Sequence, residues 1–278
     1  MGERLRLFTP FGVAFLDAAL GTPVTEGLHV TARPDGDPAT VVTAFRTASG
    51  AYAFAGLPGM RKVEYPVGDD DPLKAPKRRF LIRVEDARRR FLPALFAADL
   101  PHDGLFPGSG GGLAGFYLFS APTRPAAPTF AAVRAQVETV QGEPAAYAVL
   151  EARLPGGAVH YGLADKRGAA TLNFPWPNFD PPPLRSLPAA VAEQQWPLRL
   201  RVRHQPAALQ RAVGISEPLL GSVFAQEYAM ILPAVPGSLV TPVLEREETL
   251  IHATELVLRS GDRLPLIVES AAAPSSIP

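Results

Sequence analysis

The sequence predicts a mainly β protein built as two β-sandwich modules, with a few short helices in the C-terminal part. Three observations lead there. Proline makes up 31 of the 278 residues and glycine another 24, and the proline share is roughly twice the ordinary ~5%. Proline removes a backbone donor and blocks helix interiors, yet it is tolerated at strand starts, edges and turns. Between these breaks the chain runs in short stretches that alternate apolar and polar residues, the period of a strand with one buried face. Finally, a similar order of strands and turns occurs in each half, without a strict repeat period.

In the first half, "GLHVTARP" places Leu28, Val30 and Ala32 on one face, with His29, Thr31 and Arg33 on the other. "DGDP" (Asp35 to Pro38) is a turn, and "TVVTAFRT" is a second strand. In "ASGAYAFAGLPG", Gly50 turns the chain and Tyr52 and Phe54 share a face; "RKVEYPV" reads as a further short strand. The polar, proline-broken stretch from Val67 to Arg79 reads as an exposed loop. "FLIRVEDARRRFLPALF" returns to alternation, with Arg88, Arg89 and Arg90 at the tip of a hairpin. The expected units are a first module over 1–104, a Gly/Pro-rich connection over 105–128, a second module over 129–268 and a disordered tail over 269–278.

In the second half, two alternating runs flank "QGEP", and "VHYGLADKRGAATLNFPWP" repeats the strand, turn, strand and proline stop of the first half. "WPLRLRVRHQP" is a strand with Leu198, Leu200 and Val202 inward and Arg199, Arg201 and Arg203 outward. "AALQRAV" and "SEPLLGSVFAQEYAMILPA" are the helical candidates, the second capped by Ser216. "TELVLRSGDRLPLIV" is expected to close the chain as a hairpin around "SGD".

The charge balance limits function. Lys plus Arg and Asp plus Glu number 27 each, so no long-range field draws the chain to nucleic acid or to an anionic membrane. Zero net charge also removes repulsion between copies, as suits a subunit of an assembly. Cysteine is absent, which excludes disulfides, thiolate metal sites and cysteine nucleophiles. The N-terminal apolar patch is interrupted by Pro10, Gly12 and Asp17, so no signal peptide is expected, and no run of about 18 apolar residues could span a bilayer. The expected site of synthesis is the cytoplasm.

No chemical constellation stands out. Gly110, Gly112 and Gly115 have G-x-G-x-x-G spacing, but the nucleotide-binding form needs a strand before it and a helix after it. Neither flank fits, so Gly108 to Gly112 is expected to be an exposed connection without a ligand. Asp69, Asp70 and Asp71 lack the alternating acids, glycine and distal glutamate of a calcium loop, and read as solvated. The five histidines are scattered, and His102–Asp103 has no marked serine nucleophile beside it. No cofactor, metal or catalytic residue is expected. Candidate interaction residues are Arg88, Arg89 and Arg90, the outward row Arg199, Arg201 and Arg203, and the proline-flanked Trp176 and Trp196. The tryptophans raise the alternative of a carbohydrate- or cell-surface-binding protein.

Thr47, Gly50, Tyr52, Phe54, Leu57, Pro58 and Gly59 follow a pattern that resembles the transthyretin-like, carboxypeptidase-regulatory-like β-sandwich of immunoglobulin-type architecture. From about Val84 onward, "RRRFLPALFAADLP", "LFSAPTRPAAPTFAAVRAQV", "PAAYAVLEA", "GLADKRGAATLNFPWP", "WPLRLRVR" and "ELVLRSGD" occur in an order that resembles a bacterial family. That family is encoded in gene clusters of extracellular, phage-tail-like contractile injection systems. The resemblance implies a non-enzymatic structural or accessory subunit in a symmetric, multi-copy particle, contacting sheath, tube or baseplate proteins and released with it. It carries over no catalytic residue.

Overall fold

The computed structural model describes residues 9–66, 71, 74–102, 105–106, 116–177, 194–232, 241–261 and 265–270. The chain is mainly β, with several sheets and few, short helices.

The first half forms β1 (Gly12–Val13), β2 (Phe15–Asp17), β3 (Leu28–Pro34), β4 (Val42–Thr43), β5 (Phe45–Arg46), β6 (Tyr52–Ala53), β7 (Arg78–Asp86), β8 (Ala94–Leu100), β9 (Leu105–Phe106) and β10 (Phe116–Leu118). One antiparallel sheet has the order β4-β3-β7-β8. Against it stand the sheet β5-β6-β1-β9 and the pair β10-β2. The alternation in β3 does what its period requires: Val30 and Ala32 are buried while His29 faces solvent. Between the layers lies an aromatic core. Phe96 and Phe116 approach to 4.0 Å between ring centroids, and Phe15 meets Phe116 edge-on at 5.2 Å. Each buried phenylalanine contributes about 1.5–3 kcal/mol by leaving water, and well-set aromatic pairs add about 0.5–1.5 kcal/mol.

The second half forms β11 (Phe130–Thr139), β12 (Val149–Arg153), β13 (Val159–Leu163), β14 (Ala169–Pro175), β15 (Gln195–Arg203), β16 (Tyr228–Leu232), β17 (Arg246–Ile251), β18 (Leu256–Leu258) and β19 (Leu266–Glu269). Their order is β13-β12-β15-β16-β19-β11-β14, with β17 added to β15 and β18 to β11. The two ends of this path meet at the bridge between Ala164 and Ala170. The sheet therefore curls around a second core that includes Val133, Val137, Leu172, Phe174, Leu200 and Ile231.

Several expectations are corrected. "RKVEYPV" is not a strand: Arg61–Glu64 is a helical turn, because the buried Glu64 carboxylate accepts the backbone N–H groups of Gly56 and Leu57 at 2.6 and 3.2 Å. Both C-terminal helical candidates are cut short, to a 3₁₀ turn at Pro206–Ala208 and a helix at Leu220–Phe224 whose N-cap is Leu219 rather than Ser216. Gln226 ends that helix by donating to the Val223 carbonyl while accepting from the Gln205 amide. Tyr228–Leu232 then pairs as a strand. Leu256–Leu258 and Leu266–Glu269 do not form a hairpin; each pairs in parallel with a different part of β11. Glu269 belongs to β19 and Ser270 bonds His204 Nδ1 at 2.8 Å, so the chain is ordered past the expected start of the tail.

The stretch 105–128 is not merely a connection. Leu105–Phe106 pairs in parallel with β1, and Phe116–Leu118 in parallel with β2. Phe116 and Leu118 are fully buried, which explains their place: glycine and proline dominate the local composition, but the apolar pair belongs to the first core. Gly108 to Gly112 lie outside the described residues.

The hairpin at Asp165 to Gly168 depends on glycine. Gly168 has φ +81°, and a Cβ there would stand 2.3 Å from the Val137 carbonyl oxygen, which itself accepts from the Ala145 amide. Gly168→Ala is expected to lose at least about 2 kcal/mol, read as a lower urea midpoint with an unchanged slope.

Candidate interaction surface

The first candidate cluster sits where expected, in the turn between β7 and β8. Its geometry gives the three arginines different tasks. The Asp86 side chain is fully buried and accepts from Arg90 three times: backbone N–H at 2.6 Å, Nε at 2.9 Å and Nη2 at 3.0 Å. Arg88 adds its backbone N–H to Asp86 and an exposed ion pair with Glu26 at 3.1 Å, of a kind worth little in water. Arg90 is thus a structural clasp that holds the turn closed. Arg89 is exposed and occupies left-handed backbone space at φ 55°.

The arginine row also stands as expected on β15, outward from the fully buried Leu198, Leu200 and Val202. Most of its charge is spent within the molecule. Arg201 Nε lies 2.7 Å from Glu245. Arg203 donates to the Phe224 carbonyl at 3.0 Å and to Tyr228 Oη at 2.9 Å, and pairs with the buried Glu151 at 3.4 Å. Tyr228 Oη in turn donates to Glu151 at 2.8 Å, beneath the guanidinium of Arg203. Arg199 is the exposed member, 3.9 and 4.0 Å from Glu245 and Glu247.

The tryptophans come together at one end of the second core. Trp196 is buried, and Trp176 stacks on it at 5.9 Å between centroids. Trp176 Nε1 donates to the Pro128 carbonyl, and His252 lies 4.9 Å from the Trp176 ring. A sugar platform needs an exposed ring face, which Trp196 lacks. Asp69, Asp70 and Asp103 lie outside the described residues. Among the described residues no group of three or more His, Asp or Glu side chains could hold a metal ion, and no helix is long and apolar enough to cross a membrane.

Residues that the sequence does not single out lock the two halves together. Arg124 makes a bidentate pair with Asp17, at 2.5 and 3.0 Å, and both side chains are largely buried. Arg134, on β11, donates to the carbonyls of Pro122 and Arg124 and pairs with Glu255 at 2.7 Å. The crossing chain is thereby held from both sides. Farther along, Arg83 on β7 meets Glu217 through two bonds at 3.1 and 3.3 Å, and Arg33 donates to the Val213 carbonyl. The helix Leu220–Phe224 completes the junction: Phe224 packs on Phe119 at 5.2 Å and edge-on to Tyr161 at 5.8 Å. Val149, Leu163, Leu220, Val223 and Phe224 all belong to the core of the first half. These pairs are 107 and 134 positions apart in sequence and carry no local pattern, so composition and periodicity cannot reveal them.

No family model matches the chain, and no curated protein matches it. Among solved structures, it is similar to one described as the Bacillus anthracis TIE protein, with 8% identity and a TM-score of 0.21. That alignment covers 87% of this chain but 44% of the other, so the chain spans less than half the length of its neighbour. At this TM-score the likeness bears on neither fold nor function.

Arg124→Ala leaves Asp17 buried without its counter-charge, and should cost about 3–5 kcal/mol in a urea titration. A loss under about 1 kcal/mol would contradict the clamp. Asp86 gives a second test. Burial opposes its charged form, but the bonds from Arg90 and Arg88 outweigh that and hold its carboxyl below the ordinary value. The unfolded chain therefore takes up this proton first, so the stabilisation is present above the unfolded pKa of about 3.9 and is lost as pH falls through the folded value. Asp86→Asn should be less stable at pH 7 and show a flatter loss of stability between about pH 5 and pH 2.

Proposed function

We propose that this chain is a non-enzymatic structural or accessory subunit of a phage-tail-like contractile injection particle, contacting sheath, tube or baseplate proteins. The ordered motifs from Val84 onward are one support. The observation that carries the reading is an apolar strand edge that no other described strand pairs. β4 ends the sheet β4-β3-β7-β8, and β5, two residues on, ends the sheet β5-β6-β1-β9. Val41 and Phe45 are 55% and 48% exposed along this edge. Natural edges are usually blunted by lysine, proline or a bulge, but Thr40 to Thr47 holds no proline and one charge, Arg46. An extended strand of a neighbouring subunit suits such an edge, with backbone bonds supplying affinity and Val41 and Phe45 the apolar contact. The locked junction adds to the reading, because two modules clamped by buried pairs transmit position between neighbours without flexing.

Contractile particles sedimented from cells that express this chain with its neighbouring genes should contain it in a fixed ratio to sheath protein, by quantitative mass spectrometry. Its absence from intact particles would overturn the proposal. Val41→Lys with Phe45→Lys should lower that ratio at least tenfold while leaving the soluble chain folded.

A further inference from the structure

We propose that the junction between the two halves carries a peptide-binding groove for an extended, acidic segment of a partner. Two cavities, of about 550 and 670 Å³, share Leu92, Pro93, Asp165 and Arg167 and so form one continuous groove. Its walls are the β7–β8 turn and the crossing chain on one side and the β13–β14 hairpin on the other. The apolar floor is made by Leu92, Pro93 and Leu163 toward one end and Phe91 and Pro122 toward the other.

The charges along it are not equally available. All four acids are engaged: Asp86 by Arg90, Glu85 and Glu217 by Arg83, and Asp165 by the backbone N–H groups of Arg167 and Ala169. The cations are not. The Arg89 and Lys166 side chains make no ion pair or hydrogen bond among the described residues, and both are exposed. The Arg167 side chain is 82% exposed, with one long contact of 3.8 Å to Asp165. The groove therefore presents three cations with little to neutralise them above an apolar floor, which complements a strand that alternates acidic and apolar side chains. A polyanion such as nucleic acid fits less well, because a continuous phosphate backbone has no apolar side chains to set against the floor of Phe91, Leu92, Pro93 and Leu163.

A second observation points the same way. Three non-glycine residues among those described have left-handed φ, and two of them, Arg89 at 55° and Tyr147 at 61°, line this groove. Such backbone costs of order 1–3 kcal/mol and persists where the surroundings over-determine it, which is common at ligand sites. The Tyr147 carbonyl accepts from Gln226 Nε2 at 2.9 Å, which holds the backbone there, and its hydroxyl donates to the Ser216 carbonyl at 3.4 Å. Arg89, with the same backbone geometry, leaves an exposed cation in a turn whose other arginines are paired, Arg90 with the buried Asp86 and Arg88 with Glu26 at the surface.

This inference goes beyond the particle reading and rests only on the junction, so the two can fail separately. A fluorescein-labelled synthetic peptide, Glu-Leu-Asp-Leu-Glu-Leu-Asp, would be titrated with the full chain and followed by anisotropy, beside its Gln/Asn counterpart and a labelled single-stranded 12-mer DNA. The acidic peptide should bind at least tenfold more tightly than the amide peptide, with a lead that shrinks between 50 and 300 mM NaCl. Arg89→Glu combined with Lys166→Glu should remove that lead while leaving the thermal midpoint within a few degrees, since both side chains are exposed. Equal affinity for the two peptides, tighter binding of the DNA, or an undiminished lead in the double variant would each overturn the proposal.

Discussion

The arrangement of the two halves depends on the buried pair of Asp17 and Arg124. Asp17 closes β2 in the first half, and Arg124 lies on the crossing chain just after the first core has taken up Phe116, Leu118 and Phe119. Two charges withdrawn from water are tolerated only when each satisfies the other and the remaining polar sites are bonded. Asp17 meets this through Arg124 and the Ala19 amide, and Arg124 through Asp17 and Ser120. The guanidinium also lies over the Phe91 ring at 4.8 Å, which ties it to the β7–β8 turn. With the crossing chain fixed there, Arg134 can reach back to its carbonyls, and the second sheet starts from a defined place and direction.

Arginine serves this protein mainly as an internal fastener. Arg83, Arg90 (through the Glu26 carbonyl), Arg124, Arg134 and Arg203 each join segments that secondary structure alone leaves apart. A planar guanidinium with several fixed donors can bond a carboxylate and a carbonyl at once, which lysine's single ammonium does less well. The zero net charge is consistent with this use, since cations and carboxylates are spent on one another. Within the groove, Arg89 and Lys166 differ from these, because their side chains have no such partner among the described residues.

Strand alternation was legible wherever one face is buried and the other wet, as in β3 and β15, because a period of two follows from the pleat itself. The hairpin tip at Arg88 to Arg90 was legible too. The helix candidates were not. Their extent turns on Gln226 bonding Gln205 and on Tyr228–Leu232 finding strand partners, both contacts between distant segments. "RKVEYPV" departs from its local pattern for a similar reason, because the pull of Glu64 on the Gly56 and Leu57 amides outweighs local β preference. In the candidate surface, residue type and direction on β15 were readable, but whether each arginine is committed or available was not.

By itself, the sequence determined the mainly β class, the outward row on β15 and the exclusion of cysteine chemistry, because proline content, alternation and composition act locally. The tertiary structure alone decided that 105–106 and 116–118 join the first half, that the helix Leu220–Phe224 crosses to pack on its core, and that the C-terminal strands pair separately with β11. It also decided which charges remain at the surface. Most of those outcomes depend on pairs far apart in sequence, whose energies arise only when the chain has brought them together and excluded water.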